Sequence, residues 1–189
     1  MRAPARQRAF SFAQRYCTAC QACHMACKDL HDHPVGVSWR RVTTAEFGIY
    51  PHPRIYHLSL ACQHCAHPAC VDVCPNGALY KRVADGVVVL AASRCGGCRA
   101  CSAACPYGAV QFDPASGRSG KCDLCVDLVA QGEPPACVSA CTLRVLECGW
   151  LDEMDGEELA GPGLPDPAPI GPAMRIRPHR HRLPEDVAS

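Results

Sequence analysis

The sequence predicts an α+β fold of two similar halves, built from short hairpins and short helices and followed by an extended C-terminal stretch. Three observations predict it. Seventeen of the 189 residues are cysteines, and sixteen of those fall into four groups of four, each ending in C-x3-C. Aromatic residues make up only 6% of the chain, so apolar packing alone gives a thin core and cross-links or metal must help to hold the fold. The segments between groups are short and carry turn signals, Asp85-Gly86 foremost.

The elements follow in chain order. Residues 10–13 form a β-prone run, expected as an edge strand. Group one is Cys17, Cys20, Cys23 and Cys27. Residues 28–61 separate it from group two; Pro34, Pro51 and Pro53 break this insertion, so it reads mostly as loop with one strand near 56–60. Group two is Cys62, Cys65, Cys70 and Cys74. Two short β-prone runs within 78–90 flank Asp85-Gly86 and predict a hairpin that leads to group three, Cys95, Cys98, Cys101 and Cys105. Residues 109–112 read as another strand, closed by Asp113-Pro114 and Gly117. Group four is Cys122, Cys125, Cys137 and Cys141, with a second edge strand expected at 145–147 and Cys148 standing alone. A short helix is expected after each final cysteine. From Leu151 the remaining 39 residues hold seven Pro and no Cys, the composition of an extended tail. Its basic stretch 175–182 reads as solvated or docked on a partner.

The spacing carries the chemistry. Residues three apart in a tight loop present three sulfurs to one cubane cluster, and the fourth sulfur must come from elsewhere. The run C-x2-C-x2-C-x3-C-P answers this: three cysteines grip one cluster, and the fourth ligates the other cluster of a pair. Group three matches in full, ending Cys105-Pro106. Group one has Lys28 in place of the proline, group two a longer gap before Cys70, and group four a longer gap before Cys137 with Thr142 where proline is usual. Structural zinc sites use separated cysteine pairs, two per ion, and do not suit triplets at this spacing. Disulfides are disfavoured too. Residues 1–16 carry Arg2, Arg6, Arg8 and Arg15 but no apolar run, so no export signal is expected and the chain is expected to fold in the reducing cytoplasm. The longest apolar run, 87–92, is far short of the ~20 residues that span a bilayer. The formal charge of +1 counts thiols as neutral; sixteen thiolates around four doubly charged [4Fe–4S] cores bring the loaded chain to about −7. Neither figure gives a nucleic-acid footprint.

Groups two and three are joined only by a hairpin, so they should exchange fourth ligands. Cluster 1 would then use Cys17, Cys20, Cys23 and Cys141; cluster 2 Cys62, Cys65, Cys70 and Cys105; cluster 3 Cys95, Cys98, Cys101 and Cys74; cluster 4 Cys122, Cys125, Cys137 and Cys27. The exchange between groups one and four follows by elimination. One domain over 1–150 results, with an inner half at about 58–115, an outer half formed by about 8–30 with 118–150, and an insertion at 31–57; residues 151–189 are the tail. His64 and His67 sit among group-two ligands and read as hydrogen-bond donors or packing residues, with four cysteines already available to each cluster. Arg99 and Lys121 flank ligands: each is a potential-raising charge or a solvated one. Trp39 reads as an interface anchor or as a ring covering a cluster. His31, His33, His179 and His181 read as surface or loop residues, and Cys148 as a buried free thiol. No nucleophile–base grouping or phosphate loop is present, so catalysis by this chain is not expected.

From Cys17 to Cys141 the chain resembles the four-cluster iron–sulfur subunits of molybdopterin oxidoreductases, and within that family the dimethyl sulfoxide reductase type. The carrying strings are Cys27-Lys-Asp, Val37-Ser-Trp-Arg-Arg41, Cys62-Gln-His-Cys65, His67-Pro-Ala-Cys70, Cys74-Pro-Asn-Gly-Ala78, Asp85-Gly-Val-Val-Val89, Cys105-Pro-Tyr-Gly-Ala109 and Lys121-Cys-Asp-Leu-Cys125. The resemblance implies two bacterial-ferredoxin-like halves related by a pseudo-two-fold, four [4Fe–4S] clusters in a line, and the nested ligand exchange. It implies a non-catalytic electron-transfer subunit between a molybdopterin-containing catalytic subunit and an integral membrane quinol-binding anchor, hence membrane association through partners on a side the chain does not specify. Some relatives carry Trp at one group-three cysteine and hold a [3Fe–4S] centre; Cys98 here implies four [4Fe–4S] centres. Subunits of formate dehydrogenase, tetrathionate reductase or polysulfide reductase, and a free polyferredoxin, share the cysteine frame.

Overall fold

The structure, a computed structural model, describes residue 4 and residues 6–160 and 164–178; His179, His181 and the end of the basic stretch lie outside them. Strand β1 (Arg8–Ala13) opens the chain. Three antiparallel hairpins follow: β2 (Arg41–Phe47) with β3 (Arg54–Leu60), β4 (Leu79–Lys81) with β5 (Val88–Leu90), and β6 (Gln111–Asp113) with β7 (Arg118–Gly120). The chain then returns through β8 (Leu146–Trp150), β9 (Glu157–Glu158) and β10 (Met174–Arg177). Of five short helices, α1 (Ala22–Leu30), α2 (Ala69–Asp72), α3 (Ala100–Ala104) and α5 (Ala136–Ser139) carry or border the third and fourth cysteines of their groups, and α4 (Val126–Ala130) follows Cys125, the second cysteine of group four.

The four-stranded sheet runs β8-β1-β10-β9. β1 is therefore a central strand, not the edge strand its length and position suggested. Phe10 and Phe12 are buried on one face, and Ala9, Ser11 and Ala13 are buried on the other. Ser11 is the polar exception; its Oγ is paired with Glu147 Oε2 at 3.0 Å. β8 pairs antiparallel to β1, and β10 pairs parallel on its other side, Phe10 opposite Met174.

That parallel partner comes from the stretch expected to trail as an extended tail. Leu159, Ala173, Met174 and Ile176 are all buried. The run Met174-Arg-Ile-Arg177 alternates, with Met174 and Ile176 facing the core while Arg175 and Arg177 reach Glu158 and Glu147 at 3.9 and 3.0 Å. Alternation puts one face inside; its parallel partner lies more than a hundred residues away, so no local signal announces it. The proline-rich part falls between β9 and β10, which pair antiparallel, Arg175 opposite Glu158.

The insertion also differs from expectation. It forms a full hairpin, β2 with β3, because Pro51 and Pro53 sit in its turn and not within the strands. Most of β2 is exposed, so its sequence shows no two-faced pattern. Arg41 ties the hairpin base to the loop after group three, donating Nη2 to the Tyr107 and Gly108 carbonyls at 3.0 Å each. The Asp85-Gly86 turn forms as expected. Gly86 has φ +70°, Asp85 Oδ1 accepts from Val87 N–H at 3.1 Å, and Arg82 pairs with Asp85.

The short helices lie mostly between the third and fourth cysteines of a group rather than after the fourth. C-x3-C is about one helical turn, which offsets the two sulfurs by about 6 Å along the axis. α1 packs on α5 and α2 on α3. Groups one and four are thus brought face to face, as are groups two and three, which makes two similar halves.

Candidate metal centres

The same backbone device recurs in all four groups. The residue two after the first cysteine is left-handed each time: Ala19 (φ 53°), His64 (φ 45°), Gly97 (φ 73°) and Leu124 (φ 65°). Gln21 and Arg99, each just after the second cysteine, are left-handed as well. This conformation curls the loop so that consecutive sulfurs and N–H groups point to one side. Only Gly97 takes it without strain; the others cost about 1 kcal/mol or more each, which a loop sustains when something holds its side chains together. Gly77, Gly108 and Arg144, three residues after Cys74, Cys105 and Cys141, repeat the device on the other side. Beside them Ala78 N–H donates to Cys74 Sγ at 3.2 Å, and Ala109 N–H to Cys105 Sγ at 3.4 Å. Leu124 N–H donates to Cys122 Sγ at 3.4 Å.

All sixteen predicted cysteines are free thiols, as is Cys148. They gather as four sets. Cys17, Cys20, Cys23 and Cys141 line one cavity (set 1). Cys74, Cys95, Cys98 and Cys101 line another (set 3). Cys65 lies among Cys62, Cys70 and Cys105, whose charges act on it (set 2). Cys122 and Cys125 meet Cys27 and Cys137 in the same way (set 4). The sets also succeed one another. Cys122 of set 4 feels Cys62 of set 2, and Cys70 of set 2 feels Cys101 of set 3. Set 1 adjoins set 4 at Arg40, on which Cys23 of set 1 and Cys122 and Cys137 of set 4 all act.

Burial grades along this series. All four cysteines of set 4 are buried, whereas the outer sets each hold one exposed cysteine, Cys20 in set 1 and Cys98 in set 3. Burial pushes Cys27, Cys65 and Cys70 up to about 12 and Cys125 to about 11, with neighbouring thiols adding to it. Cys20 runs the other way. The Ala22 N–H holds it below the usual thiol range, and the Thr142 hydroxyl lies 3.7 Å from its sulfur. Thr142, which replaces the usual proline, thus gives set 1 a polar contact that proline lacks.

These observations test whether the residues fit iron–sulfur clusters, and they do. Four deprotonatable sulfurs converge at each set, backbone N–H groups point at sulfur, and buried thiols disfavour the free ionised state. Cations supplied with inorganic sulfide would compensate sixteen thiolates as a disulfide network would not. Two further alternatives are resolved by the fold. Lys121 is buried, donating Nζ to the Cys122 carbonyl at 2.9 Å and to the Val88 carbonyl, whereas Arg99 is exposed with its guanidinium 3.7 Å over the Phe112 ring. Trp39 packs against His31 and His33 with ring centroids 4.6 and 4.3 Å away, and His31 Nε2 lies 3.7 Å from Cys125 Sγ. These two histidines lie in the turn after α1, a loop position as expected, and form a half-buried lid over group four. His64 is buried; Val88 N–H donates to its Nδ1 at 3.1 Å, while His67 is exposed. Lys28, in place of a proline, donates to the Pro34 and Val37 carbonyls at 2.9 and 2.7 Å and pins the start of the insertion. Sequence reasoning missed Arg40. A fully buried cation has no apolar-pattern signal, and only its place in the Trp39-Arg40-Arg41 string hinted at it.

Four successive sets of convergent sulfurs, with no nucleophile or acid–base pair among them, define an iron–sulfur electron carrier. The family described as a 4Fe-4S dicluster domain matches residues 53–151. The B subunit of the anaerobic dimethyl sulfoxide reductase of Escherichia coli (strain K12) is 41% identical over 179 residues, covering 89% of this protein and 87% of the relative. Its Haemophilus influenzae counterpart is 38% identical over 195 residues, 96% of this protein and 95% of the relative. The thiosulfate reductase electron transfer subunit PhsB of Salmonella typhi is 40% identical over 151 residues, 78% of each. The chain belongs to this family of iron–sulfur electron-transfer subunits of oxidoreductase complexes, and it is not the catalytic subunit of one. No helix among the described residues is long and apolar enough to cross a membrane.

Proposed function

We propose that the chain carries electrons one at a time through four [4Fe–4S] clusters, between a quinol-oxidising membrane anchor and a molybdopterin-containing catalytic subunit of the dimethyl sulfoxide reductase type. The sixteen ligands are those of the four sets. The observation that carries this reading is their succession, set 1, set 4, set 2, set 3, with an exposed cysteine at each end and none between. Such an arrangement has two doors and a sealed middle, as a conductor between two fixed partners needs. The clusters supply one-electron redox chemistry; the protein holds the sulfurs, excludes water from set 4, and aims N–H groups at sulfide and thiolate to set potentials. Membrane association comes through the anchor. The exposed hairpin tip, with Ile49 and Tyr50 open to solvent, supports a chain built to be covered by other subunits.

The test is anaerobic purification of the full chain with whatever accompanies it. About sixteen irons per chain, four titratable EPR signals and a co-purifying molybdenum protein are expected. Colourless material, or iron far below that level after reconstitution, overturns the cluster reading. Four clusters with no partner retained under mild conditions would favour the free polyferredoxin instead.

A further inference from the structure

Arg40 is 1% exposed and lies between sets 1 and 4. Its Nη1 donates to Ser59 Oγ at 3.1 Å, and the guanidinium carbon sits 4.4 Å over the Phe10 ring. Nε and Nη2 reach no oxygen or nitrogen acceptor, the Cys137 side chain lies within hydrogen-bonding reach of the guanidinium, and no carboxylate stands within ion-pair distance among the described residues. An unpaired cation this deep is strongly penalised. The anions available to it are sulfurs. Cys137 and Cys122 of set 4 and Cys23 of set 1 face the guanidinium, Ser59 Oγ itself lies 3.5 Å from Cys23 Sγ, and the Arg40 backbone N–H is directed at Cys27 of set 4. Among the described residues, no other arginine is buried.

We infer that Arg40 is a counter-charge shared by the set 1 and set 4 clusters, raising both of their reduction potentials. Reduction adds one electron to a cluster, and that same electron is what passes to the next; no bond or proton changes at Arg40. A fixed positive charge in a water-poor site favours the more negative, reduced member of each couple. Because it lies between two clusters, it also offsets the repulsion when both hold an electron. Arg40 is not among the charges that act on Cys65 or Cys70 of set 2, so sets 2 and 3 should stay fixed by comparison.

This inference rests on the cluster reading, and the experiment separates the two. Arg40→Gln and Arg40→Lys are made in the full chain, and iron content and the four midpoint potentials are measured by redox-titrated EPR. Fewer than four signals in the unmodified protein would sink the cluster reading itself. With four present, Arg40→Gln should shift the reduction equilibrium of two centres at least tenfold towards the oxidised form, about 59 mV at one electron. The other two should stay fixed, and Arg40→Lys should recover most of the shift. Assembly of four clusters with Lys but not with Gln supports the inference equally. Unchanged potentials in Arg40→Gln, an equal shift of all four, a shift as large in Lys as in Gln, or cluster loss in both variants would overturn it, since charge would then not be what matters.

Discussion

Gly97 offers the sharpest perturbation of a single centre. It is left-handed at φ +73°, and a Cβ built on it would sit 2.4 Å from the Gly117 carbonyl oxygen. That oxygen belongs to the turn between β6 and β7, which is tied down by Asp113 accepting from Ala115 N–H at 2.9 Å and Ser116 N–H at 3.3 Å. Backbone must move. The left-handed conformation costs alanine about 1–2 kcal/mol, and the overlap adds about 1–3 kcal/mol. Together they disfavour the native loop by about 2–5 kcal/mol, at least about thirtyfold at roughly 1.4 kcal/mol per factor of ten. Gly97→Ala should therefore displace the loop from Cys95 to Cys98 and lose the set 3 centre alone, taking iron from about sixteen to about twelve per chain. The equivalent position in group one already holds Ala19 at φ 53°. Ala19→Gly relieves about 1 kcal/mol of strain and loses about 0.4–1 kcal/mol to unfolded-chain freedom, so it should leave set 1 intact. Iron analysis and EPR on both variants decide it. Full iron and an unaltered set 3 signal in Gly97→Ala would refute the steric reasoning.

Three further outcomes are expected. Met174→Ala empties a fully buried site on β10 and should cost about 2–5 kcal/mol, lowering the thermal midpoint by several degrees, which also checks that the late strand belongs to the core. Cys148 lies outside all four sets on β8, opposite Phe10; Cys148→Ala should keep full iron content and unchanged potentials by EPR. Arg6 lies 2.7 Å from Asp152 and 2.6 Å from Glu153, and its hydrogen bond holds Asp152 below the usual carboxylate range. A depressed carboxyl contributes stability above its unfolded pKa and loses it as pH falls through the folded one. Both partners are exposed, so Arg6→Ala should change the acid limb of a pH–stability curve only slightly, and less still at high salt.

Much of the site is legible in the sequence because its rule is local. C-x2-C fixes a loop and C-x3-C a helical turn, so the four groups can be read from spacing, and Asp85-Gly86 marks its own turn. What escapes depends on distant chain. β10 has four residues of alternation and a partner at the other end of the protein, so proline content outweighs it. The β2–β3 hairpin projects with most of one strand exposed, which erases the period-two signal, and its prolines sit in the turn. Arg40 escapes because cations are expected in water; only the assembled sulfurs give it a reason to be inside. The half-burial of His31 and His33 escapes for a related cause, since nothing nearby in sequence shows that Trp39 folds back over them.

The exposed sulfurs of Cys20 and Cys98 also decide how such a protein ages. Dioxygen, peroxide and chelators reach these two exposed sulfurs before they reach the buried ones of set 4, so damage should begin at sets 1 and 3, the two ends of the proposed path, and proceed inward. A neighbour docking over either end is then armour as well as a contact, and a chain stripped of its neighbours would fail first at the two points on which its usefulness depends.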